Sequence, residues 1–94
     1  MEPDAHTFLD RGIAYDHNGD YDRAIEDFTQ SIKLKADDPR AFMMRGSAYQ
    51  HKHEYELAIH DYDQAIKLKP DYAAALLNRD IARRDLINQK QSKK

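Results

Sequence analysis

The stretch FLDRGIAYDHNGDYDRAIEDF at residues 8–28 returns as FMMRGSAYQHKHEYELAIHDY at residues 42–62. The offset is 34 residues, and residues 5–38 lie over residues 39–72 without a gap. Identical pairs include Phe8/Phe42, Arg11/Arg45, Gly12/Gly46, Ala14/Ala48, Tyr15/Tyr49, His17/His51, Tyr21/Tyr55, Ala24/Ala58, Ile25/Ile59, Asp27/Asp61 and Ile32/Ile66, and Lys33-Leu34-Lys35 repeats as Lys67-Leu68-Lys69. A fixed period of this size marks a chain built from stacked supersecondary units, each of which buries its apolar face against the next. A partial third copy starts at Ala73, with Leu76, Arg79 and Ala82 at the places of Phe42, Arg45 and Ala48.

Within a copy the apolar and small residues recur at steps of three and four. Phe8, Gly12 and Tyr15, then Ala24, Ile25, Phe28 and Ile32, share a helix face. Each copy is therefore a helical hairpin. Asn18-Gly19-Asp20 supplies its turn in the first copy, with Gly19 suited to the left-handed conformation that closes a helix and Asp20 to capping the next. Asp38-Pro39 reads as an N-cap followed by proline at the first helical position, and Asp71 after Pro70 is expected to cap the last helix. The expected helices are 5–18, 21–35, 39–52, 55–69 and 73–89, with 90–94 as a basic tail. The fold class is all-α, one domain over residues 1–94: repeat 5–38, repeat 39–72 and a solvating last helix.

Glycine in mid-helix costs roughly 1 kcal/mol against alanine, so Gly12 and Gly46 need a packing reason. Close approach of the paired helix supplies it, and Ala24, Ala58, Ser31 and Ala65 are the small residues expected at the crossing. Arg11/Asp27 and Arg45/Asp61 recur at one separation inside a mostly apolar face, where a charge must be paired or reach water along its stem. The favoured reading is a register-fixing ion pair in each hairpin, with Asp61 also a candidate partner for Arg79; a row of ligand-binding arginines is the alternative.

The pattern aromatic-x-x-x-Gly-x-x-Tyr, then Ala-x-x-x-aromatic, then Pro is met by Phe8, Gly12, Tyr15, Ala24 and Phe28, and again by Phe42, Gly46, Tyr49, Ala58, Tyr62 and Pro70. It resembles the tetratricopeptide repeat family. Arg11 and Arg45 stand where leucine is usual, Ala36 replaces the first proline and His53 replaces the turn glycine. The resemblance implies a right-handed superhelical stack of five helices that serves as a non-catalytic protein-interaction module, the first helix of each hairpin lining a concave groove. Some members hold a partner's terminal carboxylate with lysine, arginine and asparagine on these helices. At the matching places this chain has Leu9, Ile13, Met44, Ala74 and Asn78, so no carboxylate clamp of that type is expected. The groove face instead carries Leu9, Ile13, Met43, Met44, Leu77 and Ile81, with Ser47 and Asn78 among the expected partner-binding residues. An exposed apolar patch marks an interaction site, and methionine adapts to its partner. The favoured occupant is a peptide or amphipathic helix of another protein; burial of these residues by neighbouring helices and self-association remain open.

Other chemistries find little support. With no cysteine there is no disulfide framework, thiolate zinc site or cysteine nucleophile. His51-x-His53 beside Glu54 has metal-ligating residue types, but a turn presets no tetrahedral geometry, and neither a metal nor a cofactor is expected. His17 and His51, at equivalent helix ends, are expected to face the negative end of the helix dipole. Ser31 shares its place with Ala65, no phosphate loop or nucleophile elbow is present, and an enzyme is not expected. Residues 79–94 hold arginines and lysines without aromatics, which argues against nucleic acid. The longest apolar run, Ala73–Leu77, is far below the roughly 20 residues of a membrane helix, and no signal segment follows Met1, so a cytoplasmic location is expected. The net charge of -2 is distributed as -6 over residues 1–38, zero over 39–72 and +4 over 73–94. Head-to-tail homo-oligomers are accordingly the alternative to a partner-binding module.

Overall fold

A computed structural model describes residues 2–92, which form five α-helices: α1 (Ala5–His17), α2 (Tyr21–Leu34), α3 (Pro39–His51), α4 (Tyr55–Leu68) and α5 (Ala73–Ser92). No strand occurs among the described residues. The helices start where the capping chemistry directs. Asp20 accepts from the Arg23 amide, and Asp38 from the Arg40 amide with Pro39 at the first helical position. Asp4 caps α1 by accepting from both the amide and the hydroxyl of Thr7, which hold its carboxyl below the ordinary aspartate value.

The turns between paired helices need one left-handed residue. In the first hairpin it is Gly19, at φ 79, and in the second it is His53, at φ 63. A side chain in this region strains the backbone by roughly 1–2 kcal/mol. His53→Gly is therefore expected to raise stability by about 0.5–1 kcal/mol after allowing for the extra freedom of an unfolded glycine; an unchanged urea midpoint would count against it.

Two features of the last helix differ from expectation. Asp71 is not its cap: Tyr72 precedes the first turn, and its carbonyl accepts from the Leu76 amide. The helix also continues to Ser92 rather than ending near residue 89. Nothing in Asn88-Gln89-Lys90-Gln91 stops a helix. Gln89 Nε2 donates to the His53 carbonyl and Lys90 lies 3.5 Å from Glu56, so α4 and its turn support the extension. Lys93 and Lys94 of the basic tail lie outside the described residues.

The core divides into two clusters, each spanning a hairpin and the first helix of the next unit. Leu9, Ala24 and Phe28 close on Ala41 and Ala48 of α3, while Ala58, Tyr62 and Ala65 close on Ala75 and Ala82 of α5. Ala41/Ala75 and Ala48/Ala82 are equivalent places, so α5 supplies to the second hairpin what α3 supplies to the first. The outcome is an elongated body of 52 × 28 × 18 Å. Its first helices run in a row, α1 against α3 and α3 against α5.

Candidate functional site

Gly12 and Gly46 lie where the paired helices cross. A Cβ on Gly12 would stand 2.6 Å from Phe28 Cε1, and one on Gly46 would stand 2.8 Å from Tyr62 Cε1 and 3.1 Å from the Ala58 carbonyl oxygen. Both rings are fully buried. Ala24 and Ala58 are buried beside them, and the Ser31 hydroxyl donates 2.8 Å to the Ala5 carbonyl where Ala65 of the second hairpin has only a methyl.

Next to these crossings, Arg11 grips Asp27 through two nitrogens at 2.7 and 2.8 Å, and Arg45 grips Asp61 through two at 2.8 Å. Planar two-point contact is the strong form of such a pair. Arg45 also donates to Thr29 of the preceding hairpin at 3.2 Å, tying the units together. Arg79 does not take Asp61. Its Nη1 donates to Asp63, which stands one repeat after Thr29. Its Nε is buried without a partner, whereas Nε of Arg11 and Arg45 donate to Asp27 and Asp61.

The row of partner-binding candidates divides. Leu9 does not line an open groove: it is buried against Ala24, Phe28, Ala41 and Ala48. Ala41 and Ala48 leave room in the α1–α3 seam, and a leucine at Leu9 fills it. Ile13 and Met44 pack half-buried against the same cluster, and Met43 against the second. Ser47, Asn78 and Ile81 are half-buried, with Asn78 Nδ2 3.9 Å from Met43 Sδ. Leu77 stands 61% exposed. Of these residues Leu9 is the most buried and Leu77 the most open.

A polar cluster at the far end of this row was not singled out by sequence. The hydroxyl of Tyr62 donates to Gln50 Oε1 at 2.6 Å, and burial pushes that hydroxyl's pKa well up, with Ser47 beside it and the Asp16 charge nearby. His51 Nδ1 lies 3.6 Å from Asp16 Oδ1, its ring 4.9 Å from that of Tyr21. Phe28 occupies the place of Tyr62 and has no hydroxyl to give, so the first hairpin offers no counterpart of the Tyr62–Gln50 bond; the Phe28/Tyr62 difference is legible in sequence, whereas the burial of Asp16 Oδ1 is not.

The remaining histidines and clefts are surface features. His53 stacks over Tyr55 at 5.8 Å, and among the described residues no three His, Asp or Glu side chains converge as metal ligands would. An open polar cleft of about 440 Å³ lies between the α3–α4 turn and the end of α5, lined by His53, Tyr55, Asp85, Asn88, Gln89 and Ser92. Among the described residues no helix is long and apolar enough to cross a membrane.

Five helices at a period of 34 residues, packed hairpin upon hairpin, agree with the sequence profile described as Tetratricopeptide repeat, which matches residues 9–73. The chain belongs to the tetratricopeptide repeat family. Solved tetratricopeptide domains share the fold closely. The second such domain of Spaghetti (RPAP3), bound to the HSP90 peptide SRMEEVD, is 34% identical, with 95% of this chain and 82% of that chain covered and a TM-score of 0.87. The second domain of human RPAP3, in complex with the HSP70 peptide SGPTIEEVD, is 32% identical over 95% and 78% of the two chains, with a TM-score of 0.83. The Sgt2 domain from Aspergillus fumigatus is 26% identical over 95% and 59%, with a TM-score of 0.86. No curated protein sequence matches this tetratricopeptide chain significantly.

Proposed function

We propose that this tetratricopeptide domain binds an apolar peptide or amphipathic helix of a partner protein along the row α1, α3 and α5, without a carboxylate clamp. The observation that carries the reading is Leu77, whose side chain stands 61% exposed one helical turn before the half-buried Ile81. A large apolar side chain left open to water on a first helix is one that a partner's own apolar face covers. Similar domains are bound to the peptides SRMEEVD and SGPTIEEVD, each ending in acidic residues. Here Leu9, Ile13, Met44, Ala74 and Asn78 stand at the five clamp places and offer no charge to a terminal carboxylate, Asn78 alone keeping a polar group.

Met43 and Met44 are anchored in the two core clusters, so changing them disturbs folding as well as binding. Leu77 is the cleaner probe. Peptides selected from a random display library on the whole chain are expected to be rich in leucine, isoleucine or phenylalanine, and to lose at least tenfold in affinity on Leu77→Lys with the urea midpoint unchanged. Binding that survives Leu77→Lys would overturn the reading. So would preferential capture of SRMEEVD that disappears on amidating its C-terminus. A dimer that becomes a monomer on Leu77→Lys, with no peptide bound, assigns the patch to self-association.

A further inference from the structure

Asp16 is the second-last residue of α1, and its side chain is 10% exposed. Among the described residues, its Oδ1 and Arg79 Nε are the buried side-chain polar atoms without a hydrogen-bond partner. Arg79 at least spends its other nitrogen on Asp63, whereas no described side-chain hydrogen bond reaches Asp16. A carboxylate oxygen withdrawn from water without a donor is costly, and a ligand can supply what the fold does not.

The surroundings show which donor is missing. His51 Nδ1 at 3.6 Å is too far for a hydrogen bond. Its side chain is 48% exposed and its ring lies 4.9 Å from that of Tyr21. Ser47 and the Gln50–Tyr62 pair form the rest of the cluster, and the Tyr62 hydroxyl is already given to Gln50. Positive charge is spent elsewhere. Each arginine of α1, α3 and α5 stands within 4.0 Å of an acidic side chain, and so does Lys90. Lys33, Lys35, Lys67 and Lys69 lie at the ends of the second helices, α2 and α4, not on the row. The row therefore keeps no described cation free for a partner's carboxylate, while one carboxylate at its end holds a buried oxygen without a donor.

We infer that the α1–α3 end of the groove is a subsite for a cationic side chain of the bound segment, an ammonium or a guanidinium, with Asp16 as its counter-ion and His51 as the side chain that moves aside to admit it. This rests on the groove reading above and adds the partner's chemistry: an apolar segment carrying a basic residue that reaches Asp16 while the apolar residues lie toward Leu77. Charge-assisted hydrogen bonds in such a partly dry site are among the strongest a peptide makes.

The test uses butylammonium chloride as the probe on the whole chain, at constant ionic strength, read by amide chemical shifts. It is too small to span the groove, so it reports the subsite even if the peptide reading fails. Saturable shifts at Asp16, Ser47 and His51 are expected, weakened at least tenfold by Asp16→Asn and absent with sodium acetate. Methylguanidinium in place of butylammonium separates a lysine-type from an arginine-type ligand. His51→Ala uncovers the carboxylate and is expected to tighten butylammonium binding severalfold. Shifts that do not saturate, shifts equally large in Asp16→Asn, or binding weakened by His51→Ala would each overturn the subsite. If butylammonium binds as expected while selected peptides ignore Leu77→Lys, the subsite stands and the groove reading falls.

Discussion

Arg45→Met is expected to destabilise the domain by about 3–5 kcal/mol, the usual result of removing one member of a buried ion pair. Asp61 is 2% exposed on its side chain and receives both of its hydrogen bonds from Arg45, which is itself only 17% exposed. Without the guanidinium the carboxylate is left charged and dry, and the bond to Thr29 that joins the two hairpins goes with it. A domain of this size is held by roughly 5–14 kcal/mol, so the variant loses a large part of its margin. The matching change Arg11→Met is expected to cost less, because Arg11 is 55% exposed and makes no described contact with another hairpin. Urea unfolding of both variants, with the double variant Arg45→Met/Asp61→Leu, measures the difference. Recovery in the double variant identifies the cost as the stranded charge; full stability in Arg45→Met would instead return the arginines to ligand binding.

Gly46→Val is expected to cost about 3 kcal/mol, at the top of the range for overpacking. The gain in helix propensity works against this and is below about 1 kcal/mol. Collision with Tyr62 decides the sign. A Cβ at Gly46 meets two ring carbons at 2.8 and 2.9 Å and the Ala58 carbonyl at 3.1 Å, and Tyr62 cannot retreat because its ring is fully buried and its hydroxyl is tied to Gln50. Gly46→Ala carries the same Cβ and is expected to lose about 1–2 kcal/mol net. Thermal unfolding of the two variants beside wild type checks both the sign and the ordering, and an alanine variant more stable than wild type would show that the helices separate freely.

Both expectations grow from features that two copies of one pattern made legible. A period of 34 residues with Arg, Gly, Ala and aromatic residues in fixed order specifies a helical hairpin and its stacking, because each helix face must meet the equivalent face of its neighbour. The capping residues Asp20 and Asp38 were legible for a local reason: their hydrogen bonds reach only two or three residues along the chain. Leu9 was not. Helical spacing turns it away from α2, but whether that direction meets water or α3 depends on Ala41 and Ala48, which lie more than thirty residues on. The choice of Asp63 over Asp61 by Arg79 is of the same kind, since both lie within one turn of α4 and only the placement of α5 selects between them. The length of α5 depended on contacts made to His53 and Glu56 from another hairpin.

Asp16 shows the division most plainly. In sequence it is one acid among ten in residues 1–38, with nothing to separate it from a solvated neighbour. The sequence by itself determined the helices, their pairing and the tetratricopeptide stack, because these follow from spacing and residue type. Which apolar residues stay open, and which carboxylate oxygen is buried without a donor, was decided only when α1, α3 and α5 came side by side, since burial belongs to the pair of surfaces and not to the residue.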